Sequence, residues 1–301
     1  MKTVHDRTFG KLRKMMGKGK KAMLYKKSGF LLQKSIVVAL LAAVCVCVCV
    51  WGGGGTANAE GRLKVGGTGD TPPVYFKDAQ SVLIGFEVDV LREIGRRIGK
   101  DMEFTAIDWP RKTEILNSGT IDVIASALSI TDQRKVSYSI TQPIINNAQV
   151  TVVLADSPVK EQDDLGTKTV CVLEGSFIIP IVEKFRGKSG PVAAIQTDTN
   201  ESCLISMMGG EVDATVVDKV TAYYYVKHNP GVFRILPGSF AKDRSAFALR
   251  KGEAALRDQF DRAIAEMEND GTMGRLRKRW FDEELCCLIE LNNKIYMKKT
   301  L

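Results

Sequence analysis

The sequence predicts an α/β fold in two units, and three features of the pattern carry that expectation. Short, largely apolar segments alternate with segments of helical period at the spacing of βαβ units. One of them, Ile121-Asp122-Val123-Ile124-Ala125, has the composition of a strand covered on both faces of a parallel sheet. The same order of strand and helix then begins again after residues 148–154, without a residue-level repeat.

In chain order, residues 62–66 read as a first strand that runs into a Gly/Pro loop ending at Pro73. After Gly85, Phe86, Val90, Leu91 and Ile94 recur at helical spacing. Residues 102–107 form the next expected strand, and 110–117 a short helix stopped by Ser118-Gly119. The second unit is expected to hold a strand at 168–173, the loop Glu174-Gly175-Ser176, and a helix to Phe185. A strand at 192–195, a helix at 201–209 and a strand at 212–217 follow. A further strand is read at 245–249, and helices at 254–269 and 273–280 close the fold, leaving 286–301 as a tail without clear period.

Charge narrows the function classes. The chain carries a net +8, which by itself points to nucleic acid or anionic lipid. The excess sits in residues 1–59, which carry +10, whereas 60–301 carry −2 with mixed signs, so no nucleic-acid partner is expected. The basic start leads into the apolar run Ile36 to Val50, then Trp51, four glycines and Thr56-Ala57-Asn58-Ala59. Basic segment, apolar segment and A-x-A exit make a secretory signal peptide, with cleavage expected after Ala59 and a periplasmic product. An uncleaved anchor is the competing reading, but the apolar run is shorter than the ~20 residues that span a bilayer. Cys45, Cys47 and Cys49 each follow a valine, which disfavours lipidation. Cys171, Cys203, Cys286 and Cys287 lack C-x-x-C spacing and the body has one histidine, His228, so neither a metal site nor a cofactor is expected. An oxidising compartment would allow a Cys171–Cys203 bridge, which spacing alone does not establish.

Four stretches stand in order: Gly85-Phe86-Glu87-Val88-Asp89-Val90, Gly119-Thr120-Ile121-Asp122-Val123-Ile124, Leu128-Ser129-Ile130-Thr131-Asp132-Gln133-Arg134, and Asp270-Gly271-Thr272-Met273-Gly274 with Trp280-Phe281 beyond. Together they resemble the polar amino-acid branch of the periplasmic solute-binding proteins, which includes the lysine/arginine/ornithine, histidine and glutamine binders. The resemblance covers roughly residues 60–285. It implies a two-lobed flytrap with two hinge strands, near 148–150 and 240–242. Residues 60–146 with 243–285 would form the first lobe and 150–239 the second. The implied partners are a free amino acid and an ABC permease in the inner membrane, and a monomer is expected.

The chemistry of such a ligand fits particular residues. An α-amino acid is a zwitterion, so a site needs a cation for its carboxylate and an anion for its ammonium. Arg134 follows a strand exit, and its planar fork suits bidentate capture of a carboxylate. Ser129, on the same loop, offers a hydroxyl or amide donor. By resemblance Asp218 meets the ammonium, although the residue also stands where an aspartate would cap the next helix. The resemblance further implies that backbone donors at Ser176 and Phe177 reach the carboxylate, and that the Ala127 carbonyl accepts from the ammonium. The loop at Gly175-Ser176-Phe177 is expected to lead straight into a helix whose free N–H groups favour an anion. Trp109 would lie beside the ligand's side chain or else in the core. Thr71 and Thr68 stand where basic-amino-acid binders carry an aromatic and an acidic residue, departures that argue against a lysine- or arginine-like ligand.

Two rivals share the fold. A cyclohexadienyl or arogenate dehydratase could use an acid such as Glu174, but no nucleophile–base pair, G-x-S-x-G or P-loop is present, so a non-enzyme is expected. A sensory module is the other, and it would ordinarily be followed by transmembrane and signalling regions.

Overall fold

The structure, a computed structural model, describes residues 61–283 together with 285 and 286. The expected signal peptide with its cleavage site, and the tail from 287 onward, lie outside the described residues. The main strands are β1 (Arg62–Gly67), β2 (Asp101–Ala106), β3 (Val123–Ile124), β4 (Tyr138–Ile140), β5 (Ile145–Leu154), β6 (Thr169–Leu173), β7 (Ala193–Thr197), β8 (Ala214–Asp218), β9 (Phe233–Ile235), β10 (Ala241–Ser245) and β11 (Ala248–Arg250). The helices are α1 (Phe86–Ile98), α2 (Lys112–Asn117), α3 (Asp132–Ser137), α4 (Ile179–Lys184), α5 (Asn200–Met208), α6 (Lys219–His228), α7 (Ala254–Asn269) and α8 (Thr272–Trp280).

Two principal sheets result. The first has the order β2-β1-β3-β11-β4, parallel across β2, β1 and β3 and antiparallel through β11. The second has the order β7-β6-β8-β5-β9, with β10 also paired to β5. Each sheet has its own core. Phe86, Val90, Leu91 and Ile94, the four residues spaced for a helix, are fully buried and pack α1 against the first sheet with α7 and α8. Gly85 starts that helix at φ 135°, where a Cβ would lie 2.2 Å from the Val74 carbonyl oxygen, so only glycine fits the entry. Val123 and Ile124 are fully buried, as a strand covered on both faces requires.

The chain crosses between the sheets on two adjacent strands. β5 and β10 run antiparallel with Ala148 opposite Lys242 and Gln149 opposite Ala241. This alters one expected element. The strand read at 245–249 is two strands, because Ser245 ends β10 in the second sheet and Ala248 begins β11 in the first. The helix expected directly after Ser176 begins only at Ile179, with Pro180 in its first turn where a missing N–H costs nothing. At the other end, Leu285 and Cys286 still pack into the first core, and Cys286 lies one residue past the expected end of the lobe.

Cys171 on β6 and Cys203 on α5 form a disulfide whose Cα atoms are 5.5 Å apart. The bridge closes a loop of 32 residues, and on the chain-entropy relation such a closure contributes about 3–4 kcal/mol. Replacing both cysteines with serine should lower stability by about that much in denaturant titration under oxidising conditions. Reductant should leave the double variant's midpoint unchanged while lowering that of the parent.

Candidate functional site

The site is built where elements of the two sheets meet, and its floor is the crossing pair β5 and β10. Alternate residues of a strand share a face, so Asn147 and Gln149 on β5 point to one side together. In register, Gln149 faces Asp218 at the end of β8, and Asn147 faces Asp243 on β10. The side chains join accordingly. Asn147 Nδ2 donates to Asp218 Oδ1 at 2.5 Å, and Gln149 Nε2 donates to the same oxygen at 2.8 Å and to Asp243 Oδ2 at 3.3 Å. Asp218 precedes α6 as its N-cap residue, yet its side chain makes no capping bond and turns to this network instead. The capping alternative therefore does not describe it. Burial first, and then the charge of Asp243, push the Asp218 carboxyl up from its usual range, against the pull of Gln149, Asn147 and Arg134. Burial likewise raises Asp243.

Arg134 stands above this floor on α3. Thr131 caps that helix by accepting from the Arg134 amide at 3.2 Å, which fixes where the side chain leaves the backbone. Its Nη1 donates to the Ser129 carbonyl at 2.9 Å, and the guanidinium carbon lies 5.9 Å from the centre of the Phe177 ring. Burial pulls its pKa down, while Tyr138, Asp218 and Asp243 pull it back up. The Ser129 hydroxyl, expected to serve a ligand carboxylate, donates instead to Asp243 Oδ2 at 2.5 Å.

Ala127 and Thr71 belong to a brace beneath the loop. Ser126 and Ala127 have φ of 77° and 53°, the left-handed region that non-glycine residues rarely occupy. The carboxylate of Glu87, fully buried on α1, holds both: it accepts from the Ser126 amide at 2.6 Å and from the Ala127 amide at 3.1 Å. Burial pushes Glu87 up to about 8, opposed by those two amides and reinforced by Asp218. Thr71, 2% exposed, shares hydroxyl bonds with Thr68 at 2.7 Å and Ser126 at 3.2 Å. Its hydroxyl thus serves the brace.

A second cation closes the other flank. Trp109 is buried with Leu116, Ile121 and Leu128, as the core reading of that residue has it, and Lys112 Nζ sits 4.7 Å from its ring centre. The same ammonium donates to the Trp109 carbonyl and to the Gly175 carbonyl, each at 3.1 Å, and so ties α2 to the loop after β6. Burial, and then Arg134, lower Lys112 to about 8. Gly175 has φ 71°, and a Cβ there would lie 3.0 Å from the Pro110 Cα, so glycine permits this approach. The Ser176 amide is engaged in a turn with the Leu173 carbonyl at 3.1 Å.

The structure thus brings Ser129, Arg134, Phe177 and Asp218 together, sets Ala127 and Thr71 in the brace below, and leaves Trp109 and Ser176 at the margin. Sequence reasoning missed Glu87, Lys112, Asn147, Gln149 and Asp243. One signal was available for two of them, since Asn147 and Gln149 are polar residues at strand spacing in an otherwise largely apolar strand. Among the described residues no group of three or more His, Cys, Asp or Glu side chains is placed to hold a metal ion.

The geometry has parallels in known proteins. The model of the bacterial extracellular solute-binding proteins, family 3, matches residues 63–283. The L-cystine-binding protein TcyJ of Escherichia coli strain K12 is 30% identical over 227 residues, covering 75% of this chain and 84% of the relative. The lysine/arginine/ornithine-binding periplasmic protein of the same strain is 30% identical over 220 residues, covering 70% and 84%. Among solved structures, an ancestral arginine-binding protein bound to glutamine superposes with a TM-score of 0.70 at 32% identity, covering 75% of this chain and all of that one. The two sheets with their crossing strands are accordingly the two lobes of the periplasmic-binding-protein fold. With the family model spanning most of the chain and relatives of this identity matched along most of their length, the chain belongs to family 3 of the bacterial extracellular solute-binding proteins.

Proposed function

We propose that this chain is an extracytoplasmic receptor that closes its two lobes on a free α-amino acid and presents it to an ABC permease in the inner membrane. The observation that carries the reading is the pairing of opposite charges in one site: Arg134 on the loop side and Asp218 on the floor, both part-buried and with no ion pair joining them among the described residues. A zwitterion satisfies both at once. Its contacts differ between open and closed forms, which is the condition for a ligand to drive closure. Residues 60–146 with 243–285 serve as one lobe and 150–239 as the other, hinged where β5 and β10 cross. The relatives named for cystine, arginine and lysine/arginine/ornithine support the amino-acid class. The Cys171–Cys203 disulfide supports an oxidising compartment, reached through the signal at 1–59 with cleavage after Ala59. The receptor acts as a monomer and has no nucleic-acid partner.

Isothermal titration of the mature protein with each common amino acid tests the reading. At least one should bind with micromolar or tighter affinity, and no heat with any of them would overturn the ligand class. Incubation with prephenate or arogenate should give no turnover, since Glu174, the acid nearest that role, is solvent-exposed. Measurable turnover would replace the receptor reading with a dehydratase.

A further inference from the structure

Two side chains of the first lobe, opposite in charge, take hold of backbone groups of the second. Lys112, the first residue of α2, donates its ammonium to the Gly175 carbonyl at 3.1 Å. Asp70, just past the end of β1, accepts through Oδ2 from the Asn200 amide at the start of α5, at 2.7 Å. The Thr199 hydroxyl caps that helix at the Ser202 amide, which leaves the Asn200 N–H without an intrahelical partner. A carboxylate in this place also meets the positive end of the helix dipole. Both contacts lie largely out of water, since Lys112 is 7% exposed and Asn200 6%. Asp70 Oδ1 is sealed from solvent and has no hydrogen-bond partner.

The two points gripped on the second lobe belong to one piece. Gly175 lies two residues past β6, which carries Cys171, and Asn200 opens α5, which carries Cys203. The disulfide joins those two elements, and the Thr197 hydroxyl lies 3.5 and 3.1 Å from the two sulfurs. A third polar contact between the lobes, Lys227 Nζ to Asp282 at 3.3 Å, is of a different kind. Its side chains are 61% and 32% exposed, and ion pairs in water hold little. The rings of Phe76 and Tyr224, 5.8 Å apart, add an apolar contact between the lobes.

Donor and acceptor in both grips are the protein's own groups, so both bonds are open to the empty protein. Loss of either side chain penalises the closed form alone. With Asp70 gone, the Asn200 N–H is buried without that acceptor, whereas opening gives it water. With Lys112 gone, the Gly175 carbonyl loses its charged donor in the same way. The unpaired Asp70 Oδ1 pulls in the other direction, and the charge-assisted bond of Oδ2 has to outweigh it.

We infer that Lys112 and Asp70 are catches that hold the two lobes of the empty receptor together, so that the protein rests closed and the ligand waits on opening. The inference rests on the two-lobe reading above and adds a closed form that the protein maintains itself. The zwitterion then completes a closure that the catches have begun.

Small-angle scattering of the mature protein, alone and saturated with ligand, reads the opening. The ligand used is the tightest binder among the twenty standard L-amino acids and L-cystine. The parent should have the same radius of gyration in both states. The empty Lys112→Met/Asp70→Ala double variant should be more expanded, and saturation should return it to the parent's value. Its affinity should fall roughly 10-fold or more, because only the closed fraction binds tightly, while its association rate rises. Asp70→Asn keeps an acceptor for the Asn200 amide and should expand less than Asp70→Ala. An empty parent more expanded than the saturated one, or an empty double variant as compact as the parent, overturns the catches and leaves the receptor function intact. A double variant that binds weakly yet stays compact when empty would place Lys112 among the ligand's own contacts, and that too overturns them. If the double variant does not fold, the two states of the parent decide. Absence of any binding by the parent is a different failure, that of the amino-acid reading, and the empty parent against the empty double variant still decides the catches.

Discussion

Arg134→Ala should abolish measurable amino-acid binding, a loss of at least about 100-fold, while leaving the melting temperature of the empty protein nearly unchanged. The size follows from where the guanidinium sits. It is part-buried, oriented by the Ser129 carbonyl, backed by the Phe177 ring and, among the described residues, in no ion pair with a carboxylate. Truncating one partner of a buried charge pair costs about 2–5 kcal/mol, because the ligand's carboxylate would be desolvated without a donor. Arg134→Lys separates charge from geometry. It keeps the cation but gives up the planar fork, and roughly a tenfold or greater loss is expected. The empty protein should tolerate the alanine because the side chain's hydrogen bond is to one loop carbonyl and its loss creates no apolar cavity. Retained affinity would mean that the carboxylate is held by the other cation of the site, Lys112, and the double variant with Lys112→Met would then be the informative one.

Arg134 and Asp218 were legible because short segments point to them: S-I-T-x-x-R places the arginine on a loop leaving a strand, and a run of apolar residues ending in aspartate places the acid at a strand end. The secondary structure was legible for the same kind of reason. The spacing of Phe86, Val90, Leu91 and Ile94 depends only on which side of a helix is inside. What was not legible depends on encounters between distant parts of the chain. Glu87 and Lys112 each look like ordinary charged residues near a helix start, where charge is usually solvated, yet Glu87 meets Ser126 and Lys112 meets Gly175 on the opposite lobe. Asp243 was hidden by the crossing itself. A single strand at 245–249 leaves it in a loop, whereas a strand that changes sheets after Ser245 puts it opposite Asn147. Phe177 and Ser176 show the limit of local pattern in the other direction, since the helix begins two residues beyond Phe177. The free amides of that first turn are therefore displaced from the residues expected to use them.

Glu87→Ala should lower stability by about 3–5 kcal/mol, or roughly 10 °C in melting temperature, and should weaken ligand binding without touching ligand. The residue's two amide partners are the reason. Ser126 and Ala127 hold left-handed conformations that side chains resist, and the carboxylate at 2.6 and 3.1 Å compensates that strain while satisfying two buried N–H groups. Without it both donors are orphaned, and the loop that carries Ser129 and leads to Arg134 loses its anchor. The pH dependence gives an independent check. The native Glu87 carboxyl is pushed up to about 8, whereas in the unfolded chain it titrates near its ordinary value of 4.5. Between those values the native state holds the proton more tightly, so the contribution of this group is full below about 4.5 and is lost as pH rises through about 8. Glu87→Gln imitates the protonated form and does not titrate. It should match the parent near pH 4.5 and become the more stable of the two as pH approaches 8. Chemical denaturation of both proteins across that interval measures the difference directly, with the titrations of Asp70, Asp218 and Asp243 common to both. A difference between the two proteins that stays constant across the interval would show that Glu87 is ionised throughout, its charge carried by the two amides alone, and the role of burial in its chemistry would have to be given up.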